Sequence, residues 1–163
     1  MTTAQPAVMA TPALSPYRYT LHRGWAPGLR CCWIMLNPST ATDTTDDPTL
    51  RRCIRFSSGW GFGQLVVVNL FALRATKPAG LANHTDPIDP DNDTAILAVA
   101  HHAAQVSCAC EAHQWATPRA RTVTNLLHGT PLSCLGITQH GHPRHPLYVK
   151  AITALTPFRG AAP

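Results

Sequence analysis

The sequence predicts a three-layer α/β/α domain on a short, mainly parallel central sheet of about four strands. Apolar runs that suit buried strands alternate along the chain with segments of helical spacing. Such alternation is typical of a parallel sheet with helices on both faces. The first two runs are continuously apolar, as expected for strands that are covered on both faces.

The predicted strands are residues 29–36, 64–71, 105–110 and 132–137. Segment 17–25, YRYTLHRGW, is a candidate edge strand. Three predicted helices lie between the strands. In the first, Asp47 is a suitable N-cap and Pro48 a suitable first residue. The second lies within residues 89–104, and the third spans 117–129, with Thr117 as its cap and Gly129 as its stop.

The length of 163 residues predicts one domain over residues 17–158, between disordered tails at 1–16 and 159–163. A hydrophobic fraction of 45% with 13% charged residues is typical of a soluble globular chain. The apolar runs are shorter than the roughly 18 residues of a membrane helix, which predicts no membrane partner. The composition does not indicate an oligomeric state.

Cysteine use indicates the compartment. None of the six cysteines forms a C-x-x-C pair, and most lie inside apolar runs, where a thiol behaves as a small hydrophobe. The N-terminal residues lack the basic start and continuous apolar stretch of a secretory signal. A reduced, cytoplasmic protein is the simplest interpretation.

The charge pattern offers two interpretations of the partner. The formal net charge is +5, and the basic residues are eleven Arg and only two Lys. Because arginine suits forked contacts with phosphate, this bias indicates a polyanionic partner. A GC-rich coding sequence would produce the same bias, so both interpretations stay open.

Polar residues follow the predicted strands where those strands end. In parallel sheets ligands bind outside the carboxyl ends of the strands, so these residues are expected at one rim. The predicted catalytic residues are Asn37, Asp46, Asp47 and His145. The predicted substrate-binding residues are Pro38, Ser39, Thr40, Asn69, Arg74, His142 and Arg144. The predicted nucleic-acid-binding residues are Arg51, Arg52 and Arg55.

Simpler roles compete with these. Asp47 could serve only as a helix cap, and the arginines could serve only as a solvated helix face. The histidine loop 139–148 contains Pro143 and Pro146, which preclude a helical zinc motif. The aspartate-rich segment 86–94 lacks the calcium-loop pattern. We therefore predict no metal and no cofactor.

Five motifs in order resemble a known family: IMLNPSTA, DDPTLRRC, VVNLFALRAT, DPDND and LGITQHGHPRHPLY. They are similar to the successive motifs of the bacterial and phage domain-of-unknown-function family numbered 1643. The resemblance runs from about Tyr17 to Tyr148. The chain departs from it after the third strand, where CACEAHQW has Glu111 in place of the expected Trp-Gly pair.

A weaker, fold-level resemblance concerns the chemistry. The order of an Asn-Pro turn, an Asn-Leu strand end and a His-Pro loop is similar to the uracil-DNA glycosylase superfamily, without its glycine-rich first motif. The resemblance implies that Asn37 with Asp46 or Asp47 handles water and that Asn69 reads the base. His142 or His145 would then stabilise charge or contact phosphate.

The leading expectation is therefore a nucleic-acid- or nucleotide-directed enzyme, specifically an N-glycosidic (DNA glycosylase-like) hydrolase. One alternative is a noncatalytic nucleic-acid-binding module. Another is a small-molecule or metal-dependent hydrolase that uses the Asp and His groups.

Overall fold

The computed structural model describes residues 15–111 and 113–160. Most of the two predicted tails, at 1–16 and 159–163, lies outside the described residues. The strands are β1 (Leu21–Gly24), β2 (Arg30–Met35), β3 (Gln64–Asn69), β4 (Gln105–Cys108), β5 (Leu132–Cys134) and β6 (Thr156–Pro157). The helices are α1 (Pro48–Gly59), α2 (Ala79–Ala82), α3 (Asn92–His101) and α4 (Thr117–Leu126), with 3₁₀ turns at Gln114–Ala116 and Pro146–Tyr148.

The sheet is mixed and has the order β1-β3-β2-β4-β5-β6. Its four central strands, β3, β2, β4 and β5, are parallel, as the four apolar runs predicted. The prediction of about four strands is nevertheless wrong, because β1 and β6 add an antiparallel strand at each edge. Strand β1 lies in the candidate edge segment. Strand β6 is only two residues long, too short to produce an apolar pattern.

Helices cover both faces of the sheet. On one face Leu50 and Phe56 of α1 pack against Trp33 of β2. On the other face Ile96 of α3 and Val123 of α4 pack in a second core cluster. This cluster also contains Cys32 and Ile34 of β2. Both faces of β2 are therefore buried, which accounts for its continuously apolar sequence.

The helix starts agree in part with the predictions. Asp47 is the N-cap of α1, with its Oδ1 accepting from the Leu50 N–H at 2.8 Å, and Pro48 follows it. The predicted cap role of Thr117 is wrong. Thr117 is already helical, because the 3₁₀ turn Gln114–Ala116 leads directly into α4. Among the described residues no helix is long and apolar enough to cross a bilayer.

The strand order contains a topological switch point between β2 and β4. From β2 the chain crosses through α1 to β3 on one side, whereas from β4 it crosses through α4 to β5 on the other. The loops that leave these two neighbouring strands therefore diverge. A crevice is expected between them at the carboxyl ends.

Candidate functional site

A cleft of about 1190 Å³ lies at the carboxyl ends of the four parallel strands. Residues from the segments that follow each of these strands line it. Six predicted site residues are among its lining: Asn37, Ser39, Asp47, Asn69, His142 and His145. The strand-end rule thus locates the cleft, although it does not select which polar groups face it.

Asn37 is held by the loop that follows β3. Its Nδ2 donates to the carbonyls of Pro38, at 2.9 Å, and Ala75, at 2.7 Å. The Ala75 N–H in turn donates to the Pro38 carbonyl at 3.0 Å. These contacts fix the Asn-Pro turn. They do not use the Asn37 Oδ1, which is the atom of this side chain that can accept from water or a ligand.

The two neighbouring aspartates have different surroundings. Asp46 does not line the cleft, and its Oδ1 forms an ion pair with the Arg23 Nε at 2.7 Å. Asp47 does line the cleft while it caps α1 through Oδ1. The helix therefore holds the Asp47 carboxylate in a fixed orientation at the cleft wall.

Asn69, the last residue of β3, is only 2% exposed. Its Nδ2 has no hydrogen-bond partner among the described residues, although the residue lines the cleft. The backbone carbonyl of Asn69 is engaged, since it accepts from the Asn92 Nδ2 at 3.0 Å. A buried amide without a partner is rare in native proteins and is expected to meet a ligand or water.

The histidine loop places two imidazoles at the cleft: that of His142 is buried, and that of His145 is half-buried. His142 is 7% exposed, and its Nδ1 has no partner among the residues that the structure describes. Burial lowers the pKa of His142, and the nearby His140 lowers it further. Burial also lowers the pKa of His145, whereas the charges of Glu111 and Asp47 act in the opposite direction.

Glu111 binds this loop to the end of β4. Its Oε2 accepts from the His145 N–H at 3.0 Å, and its own N–H donates to the Pro143 carbonyl at 2.9 Å. The φ of Glu111 is +28°, in the left-handed region that favours glycine. That conformation fits the Trp-Gly pair that the family resemblance places at this point. In this chain Glu111 adopts that conformation, and its carboxylate contacts the histidine loop.

Arg18 is a cleft residue that the sequence analysis missed. It is 4% exposed, and its Nη1 donates to the Ala41 carbonyl. Its Nε has no partner among the described residues. Burial lowers the pKa of Arg18 to about 10; Arg74 contributes in the same direction, and Asp43 and Asp47 oppose it. The sequence feature that could have identified Arg18 is the presence of an arginine inside the apolar edge segment 17–25.

The remaining predicted site residues do not line the cleft: Asp46, Pro38, Thr40, Arg74, Arg144, Arg51, Arg52 and Arg55. Arg52 donates to the carbonyls of Pro146 and Val149, so it attaches α1 to the histidine loop. Arg51 donates to the Asp46 carbonyl at 2.6 Å. Arg55 and Arg144 are exposed. Among the described residues there is no group of three or more His, Cys, Asp or Glu that could hold a metal ion.

A family model, described as "Protein of unknown function (DUF1643)", matches residues 18–147. The chain belongs to the DUF1643 family. The matched span begins at Arg18 and includes His145, so it contains nearly the whole cleft lining and confirms the resemblance drawn from the five motifs. No curated protein and no solved structure matches the chain. The resemblance to uracil-DNA glycosylases therefore stays a proposal.

Besides the Arg18 guanidinium, the cleft of this DUF1643 protein combines three further kinds of chemical group. Asp47 and Glu111 supply carboxylates, Asn69 supplies an amide, and His142 and His145 supply imidazoles. A carboxylate beside imidazoles can move protons, while a buried amide can recognise a planar polar edge. Such a set can bind a polar ligand and transfer protons.

Proposed function

We propose that this DUF1643 protein is an enzyme that acts on a nucleotide or nucleic acid and hydrolyses an N-glycosidic bond. The observation that carries the proposal is the Nδ2 of the buried Asn69, which has no partner among the described residues and lies in a cleft that Asp47 and His142 also line. A nucleobase edge offers the ring nitrogens and carbonyls that an amide of this kind recognises.

Each of these residues has its own role in the reaction. Water attacks the anomeric carbon, with Asp47 and the Asn37 Oδ1 orienting it and Asp47 accepting its proton. The bond between carbon and base nitrogen breaks, and its electron pair leaves with the base. Asn69 holds the base edge, and His142 stabilises the negative charge that develops on the departing base. Return of the proton to the base completes a balanced hydrolysis.

The electrostatics of His142 support this role. Its pKa is lowered by burial, so the ring is neutral at pH 7 and offers one donor and one acceptor. A neutral imidazole can still donate its N–H to an anionic leaving group and so stabilise the developing charge through a hydrogen bond. Because Asp47 is bound as an N-cap, it would act in one fixed orientation.

The proposal is tested by an assay that measures the release of free base by chromatography. Substrates are the common nucleosides, their monophosphates, and single- and double-stranded oligonucleotides with normal and deaminated bases. Asp47→Asn is expected to lower turnover by about 10²- to 10⁴-fold, the usual contribution of a general base. Its fold should be retained, because Asn also caps helices well.

Asp46→Asn is the matched comparison, since it removes the adjacent carboxylate outside the cleft. Its turnover should stay close to that of the wild type. Equal losses in both variants, or no base release from any substrate, would contradict the proposal. Salt-dependent oligonucleotide binding without turnover would instead favour the noncatalytic module.

A further inference from the structure

Arg18 and Arg74 lie close together on one face of a short antiparallel pairing. Tyr17 pairs with Leu73, the Arg18 N–H donates to the Ala72 carbonyl at 2.8 Å, and the Arg74 N–H donates to the Pro16 carbonyl at 2.8 Å. In this register Arg18 and Arg74 are diagonal neighbours, and such neighbours project to the same side of a sheet. Two guanidinium groups therefore share one small region beside the cleft.

Within the part of the chain that the structure describes, neither member of this pair forms an ion pair with a carboxylate. Over residues 15–111 and 113–160 the ion pairs are Arg23–Asp46 and Arg119–Asp93, so neither Arg18 nor Arg74 is within ion-pair distance of an acid. Both Nε atoms are buried without a hydrogen-bond partner among these residues. Arginine is almost never fully buried unless it is paired, because an uncompensated buried charge is costly.

Arg18 is the member of the pair that lines the cleft, whereas Arg74 is half-buried and is not among the lining residues. The Ala41 carbonyl holds the Arg18 Nη1, which fixes the plane of the guanidinium. A fixed guanidinium with a free Nε–H presents the geometry that phosphate oxygens bind. The electrostatics agree: burial and Arg74 both lower the pKa of Arg18, Arg23 contributes weakly in the same direction, and Asp43 and Asp47 oppose.

We propose that Arg18, supported by Arg74, binds the terminal phosphate of a free nucleotide in the cleft. A phosphate monoester carries close to two negative charges at pH 7, which matches two adjacent guanidinium groups. A phosphodiester carries one charge and continues as a chain on both sides, which suits an almost fully buried guanidinium less well. The inference rests on the proposed function for the nucleoside part of the ligand and adds the substrate class, a nucleoside monophosphate.

Isothermal titration of the full chain tests this with four probes: nucleosides, their 5′-monophosphates, inorganic phosphate, and an oligonucleotide without a terminal phosphate. The monophosphates should bind about 10- to 100-fold more tightly than the nucleosides, the usual effect of charge-assisted hydrogen bonds. Inorganic phosphate should compete with them. The oligonucleotide should show no comparable gain.

Arg18→Gln should reduce the gain from phosphate to less than about threefold while nucleoside affinity stays unchanged. Arg159→Gln removes the same charge from an exposed position and should keep the full gain. Because Arg18 is buried, thermal unfolding checks that the variant folds. Arg74→Gln provides a second variant, outside the cleft lining, that should reduce the gain in part.

Equal affinity for nucleoside and monophosphate, or no binding of either, would overturn the inference. A folded Arg18→Gln protein with the full phosphate gain would do the same, as would an oligonucleotide that competes as well as a monophosphate. The base-release assay separates the two proposals. Phosphate-dependent binding without base release refutes only the proposed reaction, and equal base release from nucleosides and monophosphates refutes only the phosphate site.

Discussion

On the buried face of α1 the Ser57 hydroxyl uses its full hydrogen-bonding capacity, whereas in the cleft the buried Asn69 has an amide nitrogen without a partner among the described residues. Ser57 accepts from the Trp33 Nε1 at 2.9 Å and from the Cys31 Sγ at 3.0 Å, and it donates to the Cys53 carbonyl at 2.8 Å. One donor and two acceptor positions complete a hydroxyl. Ser57 therefore serves the stability of the fold and has nothing left for a ligand.

Three side chains of the cleft differ from Ser57, because each has a hydrogen-bonding group that is not satisfied by the described residues. Arg18, Asn69 and His142 all line it, and each has a buried nitrogen without a partner among the described residues. Burial alone does not mark a site, because the Ser107 hydroxyl is also buried without a partner among the described residues but does not line the cleft. The combination of an unpaired buried group and an open cleft is what distinguishes a binding surface from a packed core.

The largest expected effect is on the α1 side. Ser57→Ala removes the acceptor of the buried Trp33 Nε1–H and leaves the Cys31 thiol only the Gln64 carbonyl, at 3.6 Å, so it should lower the free energy of unfolding by about 2–3 kcal/mol. Urea unfolding measures this. Ser58→Ala, one residue along the same helix and exposed, is the control and should change stability by less than about 0.5 kcal/mol. If Ser57→Ala leaves the free energy of unfolding unchanged, the Ser57 hydrogen bonds do not stabilise the fold and the contrast with the cleft does not hold.

A second stability effect concerns Arg52, whose predicted role was nucleic-acid binding. Its guanidinium donates to two carbonyls and lies 5.1 Å from the Phe56 ring centroid. Arg52→Met should therefore cost about 1–3 kcal/mol in urea unfolding. Arg55→Met, on the exposed side of α1, should be nearly neutral. If the two variants have equal stability, Arg52 is not a structural link to the histidine loop.

The two arginines illustrate how much the sequence could predict. Residue spacing placed both on α1, and Asp47 with Pro48 predicted where that helix begins. Spacing along one helix does not reveal that residues 146–149 pack beside Arg52, since that contact joins segments more than ninety positions apart. Periodicity reports local structure, whereas the use of a long polar side chain is decided by tertiary packing.

The same limit applies to the cleft. The strand-end rule brought Asn37, Asn69 and His142 to one rim, because continuous apolar runs mark buried parallel strands reliably. Arg18 was missed because its burial depends on the pairing of Tyr17 with Leu73, and nothing in segment 17–25 indicates that partner. Strand β6 was missed because two residues carry no period.

In the cleft a mutation is expected to change the free energy of unfolding in the opposite direction. Asn69→Leu replaces an unpartnered buried amide with an apolar side chain of similar shape, so it should raise the free energy of unfolding by about 1 kcal/mol. The same variant should lose base release or ligand binding, a trade-off expected at functional sites. Urea unfolding and the base-release assay measure the two effects. Destabilisation by Asn69→Leu would show that the amide has a structural partner.

The smallest effect is a pH dependence that belongs to the same unpaired group. Burial lowers the pKa of His142 below the ordinary value of 6.5, so between those two pKa values the unfolded chain binds more protons than the folded one. The contribution to stability is therefore fully present above pH 6.5 and is lost as the pH falls through the lowered pKa. Burial of His145 and His22 acts in the same direction.

His142→Gln should consequently flatten the fall in unfolding free energy between pH 7.5 and 5.5, a range above the ordinary pKa values of about 4 for carboxyl groups. His128→Gln, at an exposed position, should keep the wild-type slope. If His142→Gln also keeps that slope, its imidazole is charged as easily in the folded protein as in the unfolded chain. The His142 Nδ1 would then be in contact with water, and the cleft would lose one of its three unpaired groups.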